Sequence, residues 1–214
     1  MRVLTCLALL SMLAVPGVAA QDHADRAVAD GGTLPQGWDA RTDRGTDLNN
    51  VGFTADGSTL HIVLGPRTIF YRSADTVDGT YTVTATFAEA SASGHAEAFG
   101  IIIGGNDLQD DNQAYSYFLI RGNGQYLIKK RHGSTTSLVS GSWTGHDAIN
   151  ALGDSDRTNN TLVVEVGTNE VRFLVNGAEV FSAPASDLDT DGIVGLRANH
   201  NIDLVVEEFA LDRG

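Results

Sequence analysis

The chain has 214 residues, 14 Lys+Arg against 27 Asp+Glu, and a formal net charge of −13. So acidic a surface repels nucleic acid and anionic membranes and favours neutral or cationic partners. A single cysteine excludes an internal disulfide framework, so a core must hold the fold, and a chain of this length can bury one in a single domain.

Residues 1–20 read as a secretory signal peptide. Arg2 supplies the positive start, an apolar stretch runs from Val3 to Val15, and Val18, Ala19 and Ala20 precede polar Gln21. Pro16-Gly17 interrupts the apolar run, which is shorter than the roughly 20 residues a spanning helix needs, so no membrane insertion is expected after the leader is removed. The expected product is exported, periplasmic or extracellular, and begins near Gln21. It has lost Cys6 and carries 13 Lys+Arg against 27 Asp+Glu, a balance of −14. Residues 21–36 are polar, Ala/Asp/Gly-rich and without period, which predicts a flexible N-terminal segment. The folded domain is expected over 37–214, opening at Gly37-Trp38.

Beyond Trp38, apolar and polar residues alternate with period two in strand-sized segments: 59–64, 67–72, 80–87, 97–103, 115–121, 125–131, 161–166, 171–175, 178–182, 193–197 and 203–211. Tyr81, Val83, Ala85 and Phe87 share one face of their strand and Thr80, Thr82, Thr84 and Thr86 the other. Leu162, Val164 and Val166 repeat the pattern, as do Val171, Phe173 and Val175. Turn pairs Asp56-Gly57, Asn123-Gly124 and Asn176-Gly177 punctuate the strands, and Gly167-Thr168-Asn169-Glu170 has hairpin length. No segment longer than about ten residues keeps a helical period. Sheets with one apolar face must bury it against another layer, so the expected class is all-β, a two-sheet antiparallel sandwich.

The run Thr161-Leu162-Val163-Val164-Glu165-Val166, the segment from Val171 through Asn176-Gly177 to Val180, Gly192-Ile193-Val194-Gly195-Leu196-Arg197 and the ending Phe209-Ala210-Leu211 together resemble the closing half of a concanavalin A-like lectin/glucanase jelly roll. Trp38 and Ala114-Tyr115-Ser116-Tyr117-Phe118-Leu119-Ile120-Arg121 extend the likeness over most of 37–214. Within that superfamily the chain is most similar to the 3-keto-disaccharide hydrolase type and to laminin-G-like sugar-binding modules. The resemblance implies a jelly-roll sandwich whose concave sheet is the sugar surface. Glucanases of the superfamily set acidic residues at alternate positions of one strand, since only residues two apart face the same cleft. Here Glu207-Glu208 are adjacent, and Glu89, Glu97, Glu165, Glu170 and Glu179 are isolated.

Tyr115, Tyr117 and Arg121 share a strand face, and with Arg197, Asn199 and His200 they could form a glycan platform of rings and hydrogen-bonding groups. Trp143, in a Gly/Ser-rich loop, is a candidate clamp. Packing within the core is the competing role for each ring. Asp187, Asp189 and Asp191 before Gly192 reproduce half of a calcium loop, but Ala198 stands where a bidentate Glu would complete it, so calcium is a possible ligand and no cofactor is required. Lys129-Lys130-Arg131-His132 contains both lysines and reads as protection of an edge strand. The six histidines lack paired metal-ligand spacing, and no nucleophile elbow or phosphate-cradling glycine loop occurs. The leading expectation is a lectin-like module that binds a glycan or oligosaccharide. The alternatives are a glycosidic-bond hydrolase of the 3-keto-disaccharide type and a structural or adhesive envelope domain.

Overall fold

A computed structural model describes residues 24–90, 96–153 and 157–214. The expected leader, with Cys6, and both His23 and His95 lie outside the described residues. In chain order the strands are β1 (Asp39–Thr42), β2 (Val51–Asp56), β3 (Thr59–Leu64), β4 (Thr68–Val77), β5 (Tyr81–Ala90), β6 (Ala98–Asn106), β7 (Ala114–Arg121) and β8 (Gln125–His132). They continue with β9 (Thr135–Leu138), β10 (Thr144–Gly145), β11 (Arg157–Val166), β12 (Glu170–Val175), β13 (Ala178–Pro184), β14 (Gly192–Ala198) and β15 (Asp203–Asp212). The first sheet runs β1-β4-β14-β6-β7-β8-β10, with β9 also on β8, and the second runs β13-β12-β11-β5-β15-β3-β2. Every registered pair is antiparallel, as the alternation predicts. No helix among the described residues is long and apolar enough to cross a membrane.

The core lies between the sheets. Leu162, Val164, Val166, Val171, Phe173 and Val175 are all buried, as are Val83, Ala85 and Phe87. Opposite them the first sheet contributes Phe70, Phe99, Ile101, Phe118, Ile120, Val194 and Leu196. Ring pairs join the layers: Phe118 and Phe173 lie 5.3 Å apart, Phe87 and Phe99 5.1 Å. Asn176 and Gly177 both adopt positive φ, 51° and 83°, in the tight turn between β12 and β13. That conformation suits these residue types and matches the twist of the flanking strands.

Period two fails where both faces of a strand are covered. β6 and β7 are buried almost end to end, because Ile69, Tyr71, Ile102, Leu108, Tyr115, Tyr117 and Leu119 form a second apolar cluster on the outward face of the first sheet. The segment 107–113 folds over part of that face: Leu108 enters the cluster, Gln109 donates to the Tyr71 hydroxyl, and Arg41 holds the Gln109 carbonyl and the Asp111 carboxylate. β11 starts at Arg157, four residues before its apolar alternation, because buried Asn160 is satisfied from outside its strand. Its amide exchanges hydrogen bonds with the backbone of Asn150 and accepts one from Asn176.

Residues 24–36 form no strand, yet they are tied to the sandwich. Arg26 donates to the carbonyls of Leu64 and Ile202, its backbone N–H to Asn201, and Asn201 in turn to the carbonyl of Ala24. A polar composition without period does not show such attachment, since the bonds run to the backbone of distant residues. Trp38 packs edge-on against Phe53 at 5.1 Å and beneath the Arg72 guanidinium.

Glu89, near the end of β5, points into one end of the sandwich and is 1 % exposed, with neither carboxyl oxygen hydrogen-bonded among the described residues. Burial, reinforced by the charge of Glu97, pushes its pKa from an ordinary 4.5 up to about 7. A carboxyl raised in the folded state binds its proton more tightly there than in the unfolded chain. Its stabilising effect is full below the unfolded pKa and is lost as pH rises through the folded one. The wild type should therefore lose on the order of 3 kcal/mol between about pH 4.5 and about pH 7 through this group. Glu89→Gln should flatten that slope and be the more stable protein at about pH 8. Parallel stability-against-pH curves for the two proteins would refute the assignment.

Candidate functional site in the trough of the first sheet

Register brings the candidate groups onto one surface. Across the outward face of the first sheet, Tyr71, Gly195, Ile102, Tyr117 and Lys129 stand side by side. The neighbouring row is Ile69, Arg197, Gly100, Leu119 and Leu127. Diagonal neighbours from the two rows meet, with the Arg197 guanidinium 5.1 Å from the Tyr117 ring centre. Such a stack is favourable when solvent is excluded.

The charged centre is Asp43, directly after β1. Arg197 grips it with two bonds, Nη1 to Oδ1 at 3.0 Å and Nη2 to Oδ2 at 2.8 Å, and Arg131 donates to Oδ1 at 2.8 Å. Arg197 Nη1 also donates to the Tyr115 hydroxyl at 2.8 Å. The Asp43 backbone N–H extends the β1–β4 ladder by bonding the Arg67 carbonyl, while Arg131 lies on β8, five strand spacings away in the sheet order. If flat, five spacings span about 24 Å. One Asp side chain, one Arg side chain and a hydrogen bond reach roughly 14 Å. The sheet therefore curls toward this face, which forms a trough.

The trough holds a cleft of about 290 Å³. Tyr117, Leu119 and Leu127 supply apolar surface, Trp143 and Asn199 line it further, and Arg67, Lys129, Arg131 and Arg197 surround Asp43. Trp143 is half-buried under the Arg121 guanidinium, 4.3 Å from its ring centre, and Arg121 is braced by the Gln125 side-chain oxygen. Burial and the nearby charge of Arg197 hold the Lys129 ammonium below its ordinary pKa, partly offset by Asp43.

The expected platform is thus placed residue by residue. Tyr117, Arg197, Asn199 and Trp143 line the cleft, and Arg121 flanks it through Trp143. Tyr115 has no exposed surface and supports Arg197 from below, so it is not a ligand-facing ring. His200 does not line the cleft: its Nε2 pairs with Glu97 at 2.7 Å, and Asp25 lies 3.7 Å from Nδ1. The expected calcium ligands go separate ways. Asp187 ends a short 3-10 turn, Asp189 pairs with His132 at 3.1 Å, and Asp191 accepts the Gly79 N–H at 3.1 Å. Asp189 and Asp191 thus have partners outside the run, and among the described residues no three His, Cys, Asp or Glu gather as a metal site.

Asp43, Arg67, Lys129 and Arg131 were not among the expected site residues. Lys129-Lys130-Arg131-His132 is contiguous in sequence, but alternation along β8 sends Lys129 and Arg131 into the trough, while β9 and β10 cover the strand's edge. Alternation could have separated those two residues. Asp43, in a loop, offered no such signal. A larger groove of about 640 Å³ runs between residues 26–35 and the outer surfaces of β2 and β3. Its lining is mostly small and aliphatic, and its guanidinium, on Arg26, is spent on backbone carbonyls.

No family model matches the chain, and no curated protein matches it. Solved structures do share its architecture. A carbohydrate-binding module, CBM66 from Bacillus subtilis, aligns over 82 % of this chain and 95 % of its own, with a TM-score of 0.60 at 11 % identity. A Bacillus subtilis protein with a galectin-like fold aligns over 82 % and 89 %, with a TM-score of 0.57 at 11 % identity. A Bacteroides ovatus GH16 enzyme of a mixed-linkage glucan locus, in complex with its product G4G4G3G, aligns over 81 % and 94 %, with a TM-score of 0.51 at 10 % identity. At these identities the likeness is one of fold: a two-sheet antiparallel jelly-roll sandwich.

Burial alone would raise the Asp43 pKa, but Arg197, by charge and hydrogen bonds, together with Arg131 and Arg67, holds it below the ordinary carboxylate value. A depressed carboxyl contributes stability above its unfolded pKa and loses it as pH falls through the folded one. Asp43→Asn should cost about 3 kcal/mol at neutral pH, because two guanidiniums keep their charges without a counter-ion. The gap from wild type should narrow as pH falls below the ordinary carboxylate range. Urea denaturation measures it, and equal midpoints at neutral pH would show that the cluster does not hold the trough.

Proposed function

We propose that this protein is a lectin-like module that binds a glycan in the trough of its first sheet. The observation that carries the reading is a preformed cleft in which Tyr117 and Trp143 stand beside Arg197, Lys129 and Asn199. Rings present flat apolar surface to a pyranose face while cations and amides bond its hydroxyls, and such a mixture of apolar wall and few fixed polar groups is what a small-ligand site needs. That a carbohydrate-binding module and a glucan-acting enzyme share the architecture supports this reading. A secretory leader at 1–20 would deliver such a module to the periplasm or the cell exterior, where polysaccharides are met.

Recognition is favoured over hydrolysis by the carboxylates. Glycosidic cleavage ordinarily needs two that divide acid and base or nucleophile roles. Among the described residues that line the cleft Asp43 alone is acidic, and its arginines keep it ionised and occupied.

Trp143→Ala tests the site with little damage to the core, since the residue is only half-buried. The expected loss of glycan affinity is about three- to tenfold, the worth of one aromatic contact, with the melting temperature nearly unchanged. Titration calorimetry against whichever oligosaccharide leads on a glycan array reads it. Undiminished affinity would remove the trough as the binding surface. Tyr117→Ala is a poorer probe, because that ring is 5 % exposed and belongs to the outer apolar cluster.

A further inference from the structure

We infer that the cleft selects a sugar carrying an acidic group, a uronate carboxylate or a sulfate ester, and that Lys129 meets that group. The inference rests on the glycan reading and sharpens it. The chain has only 14 cationic Lys and Arg side chains against 27 acidic ones, yet four of the 14 line this one cleft and a single carboxylate accompanies them. That carboxylate is already committed, gripped at both oxygens by Arg197 and at one by Arg131. It has little left with which to neutralise a further cation.

Lys129 is that further cation. It stands in register beside Tyr117, half-buried, and among the described residues its ammonium makes no ion pair and no side-chain hydrogen bond. Burial and repulsion from Arg197 act against its charge more than the attraction of Asp43 supports it. A cation only partly compensated in a half-desolvated cleft costs stability and is relieved by an incoming anion. A neutral sugar would leave that repulsion in place, whereas a carboxylate or sulfate in reach of the ammonium would accept a charge-assisted hydrogen bond while the pyranose face rests on the rings. The acidic remainder of the surface repels polyanions at large, so attraction is confined to this trough.

The test compares the whole protein with Lys129→Gln and Lys129→Arg on an array of neutral, uronate-bearing and sulfated oligosaccharides. Calorimetry then follows with oligogalacturonate, its carboxyl-reduced neutral counterpart and a sulfated neutral oligosaccharide. The expected result is about tenfold or tighter binding of an acidic probe over its neutral counterpart at about 0.05 M salt, shrinking toward parity at about 0.5 M. Which acidic probe wins distinguishes carboxylate from sulfate. Lys129→Gln should abolish the preference without lowering the melting temperature, and Lys129→Arg should retain it. If acidic and neutral forms bind alike, or Lys129→Gln keeps the full preference, this inference falls while the glycan reading stands. If no sugar binds at all, both fall.

Discussion

The grip of two arginines on Asp43 is the constraint from which the binding face follows. Arg197 and Arg131 come from strands three places apart in the sheet, and Asp43 comes from beyond its far edge strand. Joining them at hydrogen-bond distance fixes how far the sheet curls, and so sets the depth of the trough and the spacing of its walls. Breaking such a cluster at its one anion leaves cations facing each other in a poorly solvated place, which is why it acts as a clamp and not as decoration of the surface.

The clamp works because apolar packing supports it from both sides. Tyr115, with no exposed surface, lies beneath Arg197, and Tyr117 lies against its guanidinium plane. The first sheet therefore serves as a middle layer, with the sandwich core on one face and a thinner apolar layer on the other. Beside that outer layer the sheet opens as the cleft, with Tyr117, Leu119, Leu127 and Trp143 on its walls. A rigid, half-covered face lowers the ordering cost of binding, since few side chains must be immobilised when a ligand arrives.

Much of the sandwich was legible because it obeys a local rule. Leu162 to Val175 alternate, and Asn176-Gly177 turns with positive φ, for reasons contained in a few neighbouring residues. Where the determinants are distant the sequence was silent. β1 has only four residues and no apolar alternation, β2 buries only Val51 and Phe53 before its exposed end, the start of β11 depends on Asn150 and Asn176, and Arg26 binds carbonyls at 64 and 202. The site divides in the same way. Tyr117, Trp143 and Arg197 stood out as types that touch sugars, whereas Asp43 gains meaning only from partners 88 and 154 residues away. His200 and the Asp187 to Asp191 run drew notice by composition, and each proved engaged with a partner that spacing does not reveal.

The tether of Arg26 to Leu64 and Ile202 has a consequence for how the chain reaches this state. Its bonds span 38 and 176 residues, and Arg197 to Asp43 spans 154. Loops of that length must close before either contact forms, which places the protein among slow, topology-limited folders of high contact order. During synthesis the bonds of Arg26 to Ile202 and of Asp43 to Arg197 can form only after residues 197 to 202 have left the ribosome. At a few residues to tens of residues per second, that leaves the N-terminal segment and the unfinished trough open for roughly ten seconds or longer. β14 carries Arg197 into the middle of the first sheet, so the clamp, and with it the trough, is completed only when the second-last strand arrives.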